Sequence, residues 1–389
     1  MATWIALNTC GRRPTPGKRS ARAGFWAALL AWGWLCVAGW AAPALAADLF
    51  TDQAIYQAQV PVADNTDAAR AKALPQALAK VLVRVTGDPQ VAQSPAAKPL
   101  LSRASQLMQS YSYVQLPNGK GLRVSFDPSA VKAAVKARNL PVWGAERPKT
   151  LVWLAIRGGP DGRQVVSSDN AQGSAAGLVQ TARARGVPLI FPLMDLQDQQ
   201  KVSFSDVWGA FQKPIEQASK RYPHSDVLIA GASGGSNQWQ VHWTLIEQGQ
   251  QEKQWQTGGS TLDEALASGA DDLASFFANR FAVAPGGGSS HSRRIVVDHV
   301  NSVQQYASLL TYLQGLTAIN SVHTSAVHGN RVTLQVQSSA APGHLRRMLG
   351  LSGLLAPVKG AAGTGGTPGS GTSGAAGQAL TYRLSSSAS

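Results

Sequence analysis

The stretch Arg147-Pro148-Lys149-Thr150-Leu151-Val152-Trp153-Leu154-Ala155-Ile156 divides the chain and decides its fold. From Thr150 onward it carries no charge and is rich in β-forming side chains. A short apolar run without alternation predicts a strand buried on both faces, as in the middle of an α/β sheet. Pro148 ends whatever precedes it, because the residue before a proline is kept out of helical geometry. We therefore expect an α+β unit upstream and alternating strands and helices downstream.

The first 46 residues predict an export signal. A basic run over 12–22 is followed by an apolar stretch over 23–40, and Ala44-Leu45-Ala46 supplies the small-x-small pattern of a cleavage site near Ala46. The alternative is an uncleaved inner-membrane anchor, because about 18 apolar residues can cross a bilayer. Either form predicts an exported protein, periplasmic in a Gram-negative cell.

Both cysteines of the chain, Cys10 and Cys36, lie in this leader. A mature chain without cysteine has no disulfides, no thiolate metal site and no cysteine nucleophile. The absence of cysteine also fits an oxidising compartment, where stray thiols would react.

Residues 47–145 are predicted to form a small N-terminal α+β domain. Apolar side chains recur at helical spacing in its first half, and Pro117-Asn118-Gly119-Lys120 is typical of a hairpin turn. The expected elements are helices over 68–85 and 97–108, strands over 111–116 and 121–126, and a short helix that Asp127 begins.

Several motifs in and after this domain carry a family resemblance. They are Leu82-Val-Arg-Val-Thr-Gly87, Tyr111-Ser-Tyr113, Arg123-Val-Ser-Phe-Asp127, and Leu140-Pro-Val-Trp-Gly144 before Arg147-Pro148. Together they resemble the proteobacterial family called domain of unknown function 2066, over most of residues 48–385. That family has no assigned activity, so the resemblance implies an exported protein and no particular chemistry.

The downstream half is predicted to contain two further domains, the first of them with helices over 205–221 and 262–281. The strand and helix order over 146–283 is similar to the α/β envelope domains of the TolB N-terminal and curli-secretion type, a fold analogy that implies no activity. A β-α-β-β-α-β order predicts a ferredoxin-like C-terminal unit. The expected boundaries are an α/β domain at 146–283, a Gly/Ser linker at 284–293, the ferredoxin-like unit at 294–357 plus 379–385, and a disordered insert at 359–378.

Net positive charge is concentrated at the two ends of the mature chain. Residues 48–145 carry 11 basic and 6 acidic residues, residues 146–284 carry 12 and 14, and residues 285–389 carry 7 and 1. Arg293, Arg294, Arg346 and Arg347 are therefore a candidate surface for an anionic lipid or glycan. Nucleic acid is not expected as a partner, because the C-terminal strands carry no aromatic side chain except Tyr382 and the leader exports the protein.

Gly231-Ala-Ser233-Gly-Gly235 is the sharpest enzyme signal in the chain. It matches the Gly-x-Ser-x-Gly pattern of a nucleophile elbow and follows a predicted strand. An elbow needs a helix after the serine, whereas the alternation of Trp239, Val241 and Trp243 predicts a strand. A glycine-rich turn that leaves a buried strand explains the motif better than a hydrolase. No phosphate-loop lysine follows these glycines either.

The histidines and tryptophans provide no strong site. The seven histidines are scattered, and only His323 and His328, expected to flank a hairpin turn, form a candidate metal pair. Trp239 and Trp243 share one face of a predicted strand, so we expect them to pack in the core rather than bind glycan. We predict no catalytic residue, cofactor or metal.

Three functions remain open on the sequence. The first is a non-catalytic periplasmic protein-interaction or envelope-assembly factor with a protein partner. The second is a basic envelope protein that binds glycan or lipid, and the third is a serine hydrolase acting through Ser233.

Overall fold

The computed structural model describes residues 52–159, 162–247, 249–283, 291–351, 353–358 and 379–385. The predicted leader, the linker over 284–290 and the predicted insert over 359–378 lie outside the described residues. The chain is a mixed α and β protein with three sheets, as the sequence predicts at that level.

The first sheet has three strands in the order β1-β3-β2, with its buried face covered by α2 and α5. Its elements are α1 (Asp52–Ile55), β1 (Gln57–Pro61), α2 (Asp67–Thr86), a 3-10 turn (Val91–Gln93), α3 (Lys98–Leu101), α4 (Ala104–Leu107), β2 (Met108–Leu116), β3 (Gly119–Phe126) and α5 (Pro128–Ala137).

Capping residues in the sequence fix both ends of α2, the long helix of this layer. The Thr66 side chain accepts a hydrogen bond from the Ala69 amide at 3.2 Å, and Gly87 ends α2 with a left-handed φ of 77°. The helix predicted over 68–85 is therefore confirmed. The single helix predicted over 97–108 is correct only in part: the chain forms the two short helices α3 and α4 there, and the helical segment ends before Met108, which pairs with Phe126 in the sheet.

The second sheet has the order β5-β4-β7-β8-β9, and β6 also pairs with β4. Its elements are β4 (Thr150–Arg157), β5 (Arg163–Val165), α6 (Ala171–Ser174), α7 (Ala176–Arg185), β6 (Leu189–Ile190), α8 (Leu196–Gln199), α9 (Phe204–Trp208), α10 (Gln212–Ser219), β7 (Asp226–Gly234), β8 (Trp239–Glu247), β9 (Gln250–Gly259) and α11 (Leu262–Phe281).

β4 is buried on both faces, as predicted. Val152 and Leu154 pack on the side of α7 and α11, whereas Leu151 and Trp153 pack on the side of α9 and α10. The single helix predicted over 205–221 is divided into α9 and α10, because Ala210 between them takes a positive φ of 50°.

The third sheet has the order β11-β12-β10-β14-β13, with β10 and β14 parallel. Its elements are β10 (His291–Asp298), α12 (Val303–Gly315), β11 (Ile319–His328), β12 (Arg331–Ser338), α13 (Pro342–Gly350), β13 (Leu355–Pro357) and β14 (Leu380–Leu384). The predicted end of the linker at residue 293 is wrong, because His291 already pairs with Ser338 in β10.

The second and third sheets share one hydrophobic core instead of forming separate small units. Leu154 of β4, Phe277 of α11 and Ile295 of β10 belong to the same buried cluster. A hydrogen bond of 3.1 Å joins the His344 ring to the Phe281 carbonyl, next to this junction.

A buried guanidinium joins the first layer to the second. Arg147 donates to the Arg84 carbonyl at the end of α2 (2.6 Å) and to the Gly186 carbonyl at the end of α7 (3.0 Å). It also donates to the Gly144 carbonyl (3.0 Å) and lies 3.8 Å from the ring centroid of Trp143. Carbonyls at a helix C-terminus have no partner within the helix and attract cations. The Arg147 side chain therefore supplies hydrogen-bond donors to the ends of two helices.

Arg185 extends this connection. It donates to the Gly87 carbonyl at 2.8 Å and to the Ser275 hydroxyl at 3.3 Å, and it forms an ion pair with Asp271 of α11. Burial lowers the pKa of Arg147 to about 9, so its guanidinium is charged at neutral pH. We call Arg147 and Arg185, together with the carbonyl groups that accept their hydrogen bonds, the arginine clamp.

A buried carboxyl group lies at the first residue of β7. Asp226 is only 4% exposed and pairs across the strands with Glu247. Burial, reinforced by the charges of Glu247 and Glu252, raises the pKa of Asp226 to about 8, although Arg280 opposes the shift. Arg280 is itself engaged by Glu247 and Glu252. Asp226 therefore keeps its proton at neutral pH.

Substitution of Arg147 tests the clamp. Arg147→Leu leaves buried carbonyls at two helix ends without a donor and should lower the free energy of unfolding by about 2–4 kcal/mol, measured by denaturant titration. Arg183→Ala removes an exposed arginine of α7, a helix whose end Arg147 contacts. It should change the free energy of unfolding by less than about 0.5 kcal/mol. Equal effects of the two substitutions would contradict the role of the clamp.

Asp226 predicts a pH dependence of stability. The unfolded chain releases this proton near 3.8 and the folded chain near 8. Between these values the folded state binds the extra proton, so the free energy of unfolding falls as pH rises, by up to about 1.4 kcal/mol per pH unit. Asp226→Asn should flatten this slope and Asp272→Asn, at an exposed position, should not. An unchanged slope in Asp226→Asn would exclude Asp226 as its source.

Candidate functional site

A cleft in the described residues opens at the carboxyl end of β4. Its volume is about 680 Å³. In open α/β sheets, ligands bind beyond the carboxyl ends of parallel strands, and β4 and β7 are parallel. The lining residues come from four segments and are Ile156, Gly158, Gly159, Gln164, Asp169, Asn170, Gly173, Ser174, Trp239, Thr261, Leu262 and Asp263. We call this feature the central cleft.

Glycines shape the walls of the central cleft. Gly158 has a φ of 123°, and a Cβ atom there would lie 2.2 Å from the Gly234 carbonyl oxygen, so only glycine fits between the two strand ends. A Cβ atom on Gly177 would meet the Asp263 carbonyl oxygen at 2.1 Å. The same glycine donates its amide to the Asp263 carboxylate at 2.9 Å, which ties the start of α7 to the start of α11.

Two polar groups of the cleft hold its loops in place. The Asn170 carboxamide accepts from the Ser167 amide at 2.8 Å and donates to Gln164 at 3.4 Å. Thr261 caps α11 through a reciprocal capping box with Glu264. The rim is therefore preorganised, with carboxamides, hydroxyls and glycine backbone at the surface and the largely buried indole of Trp239 below them.

The charge of the central cleft is opposite to that of the chain. The formal net charge of the chain is +14, yet the charged residues that line the cleft are Asp169 and Asp263. Carboxylates repel anions and attract cations. The cleft is thus suited to neutral groups that form hydrogen bonds or to cationic groups, and it is unsuited to phosphate or carboxylate ligands.

Ser233 does not lie on a turn. It belongs to β7 and pairs with Arg157 of β4 on one side and with Gln240 of β8 on the other. His242 lies on the same sheet face, because Gly231, its partner, is two residues from Ser233. The chain continues into β8 and not into a helix, so the backbone geometry of a nucleophile elbow is absent at this site.

His323 and His328 do not approach each other across a turn. Both lie on β11, where His323 pairs with Gln335 and His328 pairs with Arg331. Five residues of extended strand separate them by roughly 16 Å. Within the described ranges, no group of three or more His, Cys, Asp and Glu side chains is placed to hold a metal ion.

The four candidate arginines of the C-terminal layer are distributed over both sides of its sheet. Arg293 lies on the same side of β10 as the buried Ile295, whereas Arg294 is exposed on the opposite side. Arg346 and Arg347 are exposed on α13, which packs on the buried side. The structure therefore separates Arg294 from the two helix arginines.

The tryptophans pack mainly in the core. Trp153 and Trp243 are buried, as predicted, and the ring of Trp243 stacks on Trp255 with centroids 5.7 Å apart. Trp239 is 8% exposed and contributes to the central cleft. Sequence reasoning missed the cleft; the one signal for it was the glycine turn at 158–162 directly after the buried strand.

In the part of the chain that the structure describes, no helix combines the length and apolar character that a membrane crossing requires.

One family model matches the chain, and it corrects the resemblance suggested by the sequence. The match is to Domain of unknown function (DUF8605) and covers residues 50–144. The resemblance to domain of unknown function 2066 is therefore wrong. The motifs that suggested it serve general needs of folding: Val85 is a core residue, Gly87 a left-handed helix end and Asp127 a helix cap. Such features recur in unrelated α+β domains.

Comparison with other proteins adds little. No curated protein matches the chain. Among solved structures, the chain is similar to the LpoB C-terminal domain from Salmonella enterica, with 15% sequence identity over 29% of this chain and 83% of that chain, at a TM-score of 0.20. A superposition at this TM-score is too poor to transfer a fold or a function.

Proposed function

We propose that this protein is an exported, non-catalytic binding protein of the cell envelope, and that its central cleft receives a neutral or cationic segment of a protein partner. The observation that carries the proposal is the polarity and charge of the preorganised cleft. Its surface is rich in carboxamides, hydroxyls and glycine backbone, and its charges are the two carboxylates Asp169 and Asp263. Peptide segments offer the complementary amide groups and basic side chains.

Export is part of the proposal and rests on the sequence of the leader. The basic run, the apolar stretch and Ala44-Leu45-Ala46 support a periplasmic location, with inner-membrane anchoring if the leader is retained. The cysteine-free sequence after the leader supports the same compartment.

We also propose specific fold types for the second and third layers. The order of strands and helices supports a ferredoxin-like C-terminal layer, to which β13 is added at the edge. A central layer of the TolB N-terminal or curli-secretion type is proposed from the element order around β4 and β7. We propose that the chain has the three domains predicted from the order of its helices and strands, although the second and third layers share one hydrophobic core.

Glycan binding is the second candidate. Trp239 favours it, since an aromatic ring beside carboxamides such as Gln164 and Asn170 suits a neutral sugar. The carboxylates of the cleft disfavour an anionic glycan or lipid there. The candidate arginines for an anionic ligand lie in the C-terminal layer, where Arg294 and Arg346 lie on opposite sides of the sheet.

In-cell photo-cross-linking tests the proposed function. A benzoyl-phenylalanine placed at Gln164 should cross-link to one dominant protein. Gly173→Trp fills the cleft from a position with open space around it and should abolish the cross-link, whereas Gly343→Trp, an equally open helix glycine on α13, should not. A cross-link that persists in Gly173→Trp, or capture of glycan in place of protein, would contradict a protein segment as the occupant.

A fluorophosphonate probe tests the hydrolase alternative. Because Ser233 lies within a strand between two paired strands, its hydroxyl should not be activated and the purified chain should remain unlabelled. Labelling of the chain that disappears in Ser233→Ala would overturn the non-catalytic function.

A further inference from the structure

The free edges of the three sheets differ in how they are protected. A free edge strand offers unpaired amide and carbonyl groups to other chains, and proteins protect such edges with short strands, proline, charges or bulges. The edges of the described sheets are β1 and β2 in the first sheet, β5, β6 and β9 in the second, and β11 and β13 in the third.

Six of these edges carry a protective feature. β1, β5, β6 and β13 have five residues or fewer, and Pro61 and Pro357 end β1 and β13. β9 contains Glu252 and Lys253. β11 is long, but two register shifts interrupt its pairing with β12.

β2 is the exception. Its nine residues, Met108–Leu116, contain no charge and no proline. Among the described residues it pairs with β3 alone, and its bulge lies at its start, between Met108 and Ser110, so the pairing from Ser110 to Leu116 is regular. Tyr111 is 43% exposed. This strand has the length, regularity and lack of charge that strand addition requires.

The charges beside β2 indicate which partner fits. Arg123 of β3 pairs with Ser112 on the open side of the sheet, and its guanidinium contacts the Gln59 carboxamide of β1. On the helix side, Arg70 forms an ion pair with Asp67 and lies over the Tyr111 ring at 4.7 Å, and the exposed Lys120 pairs with Gln115. A second copy of this chain would bring together two first layers that each carry 11 basic and 6 acidic residues over 48–145, and their like net charges would repel. An acidic segment has complementary charge.

We propose that the free edge of β2 binds an extended, acidic segment of a partner protein by strand addition. Main-chain hydrogen bonds supply the affinity, and the net positive charge of the first layer, with 11 basic and 6 acidic residues over 48–145, favours acidic side chains. This surface belongs to the first layer and does not depend on the central cleft, so either site can fail experimentally without the other.

The test is a fluorescence-anisotropy titration of the purified chain with labelled Thr-Glu-Val-Glu-Val-Glu-Thr. The same peptide with methylated backbone nitrogens keeps its charges but loses its donors, and the version with lysine in place of glutamate keeps its donors but reverses its charge. Both should bind about tenfold more weakly or worse. Equal binding of the methylated peptide would overturn strand addition, and equal binding of the lysine peptide would overturn the acidic partner.

Two variants locate the site. Ser112→Glu places a repelling charge on the edge and should remove most binding, whereas Ser105→Glu makes the same change at an exposed position of α4 and should preserve it. Hydrogen exchange in the wild-type chain provides a readout without mutation, and peptide should slow exchange within 108–116. Unchanged exchange there would overturn the proposal. So would sedimentation that shows a homodimer dissociated by Ser112→Glu, since the edge would then bind a second copy.

Discussion

The structure depends on one buried cation, Arg147. Its guanidinium donates hydrogen bonds to carbonyls at the C-terminal ends of α2 and α7. Arg185 donates to the Gly87 carbonyl and forms an ion pair with Asp271 of α11. These contacts place the first sheet against the second without a continuous apolar core between them, since the two have separate buried clusters. Hydrogen bonds to helix ends are directional, so the clamp fixes orientation as well as proximity.

The clamp and the central cleft lie at opposite ends of α7. α7 begins beside the cleft, where Gly177 contacts Asp263, and ends at the clamp, where Gly186 accepts from Arg147. A rigid rim of this kind suits recognition, because a preorganised surface loses little entropy on binding. Ser233 is paired on both sides within the sheet and therefore lacks the strained turn of a nucleophile elbow.

Sequence patterns predicted those elements whose signals are local. The uncharged run of β4, the capped helix α2 and the bounds of α11 follow from periodicity, caps and β-propensity over neighbouring residues. The clamp was not predictable, since Arg147 and Arg84 are distant in sequence and the acceptors are backbone atoms. The break at Ala210 was missed for a related reason, because a positive φ at alanine is imposed by tertiary contacts. The cleft was missed because its polar residues come from separate segments and form no motif.

The measurement that tests the central claim most directly is hydrogen-exchange mass spectrometry of the chain alone and in complex with the partner captured from the envelope. If the central cleft is the binding site, the partner should slow exchange of the amides around Gly159, Gly173 and Leu262, while exchange at the clamp stays the same. Unchanged exchange at those segments, with protection confined to another part of the chain, would contradict the account.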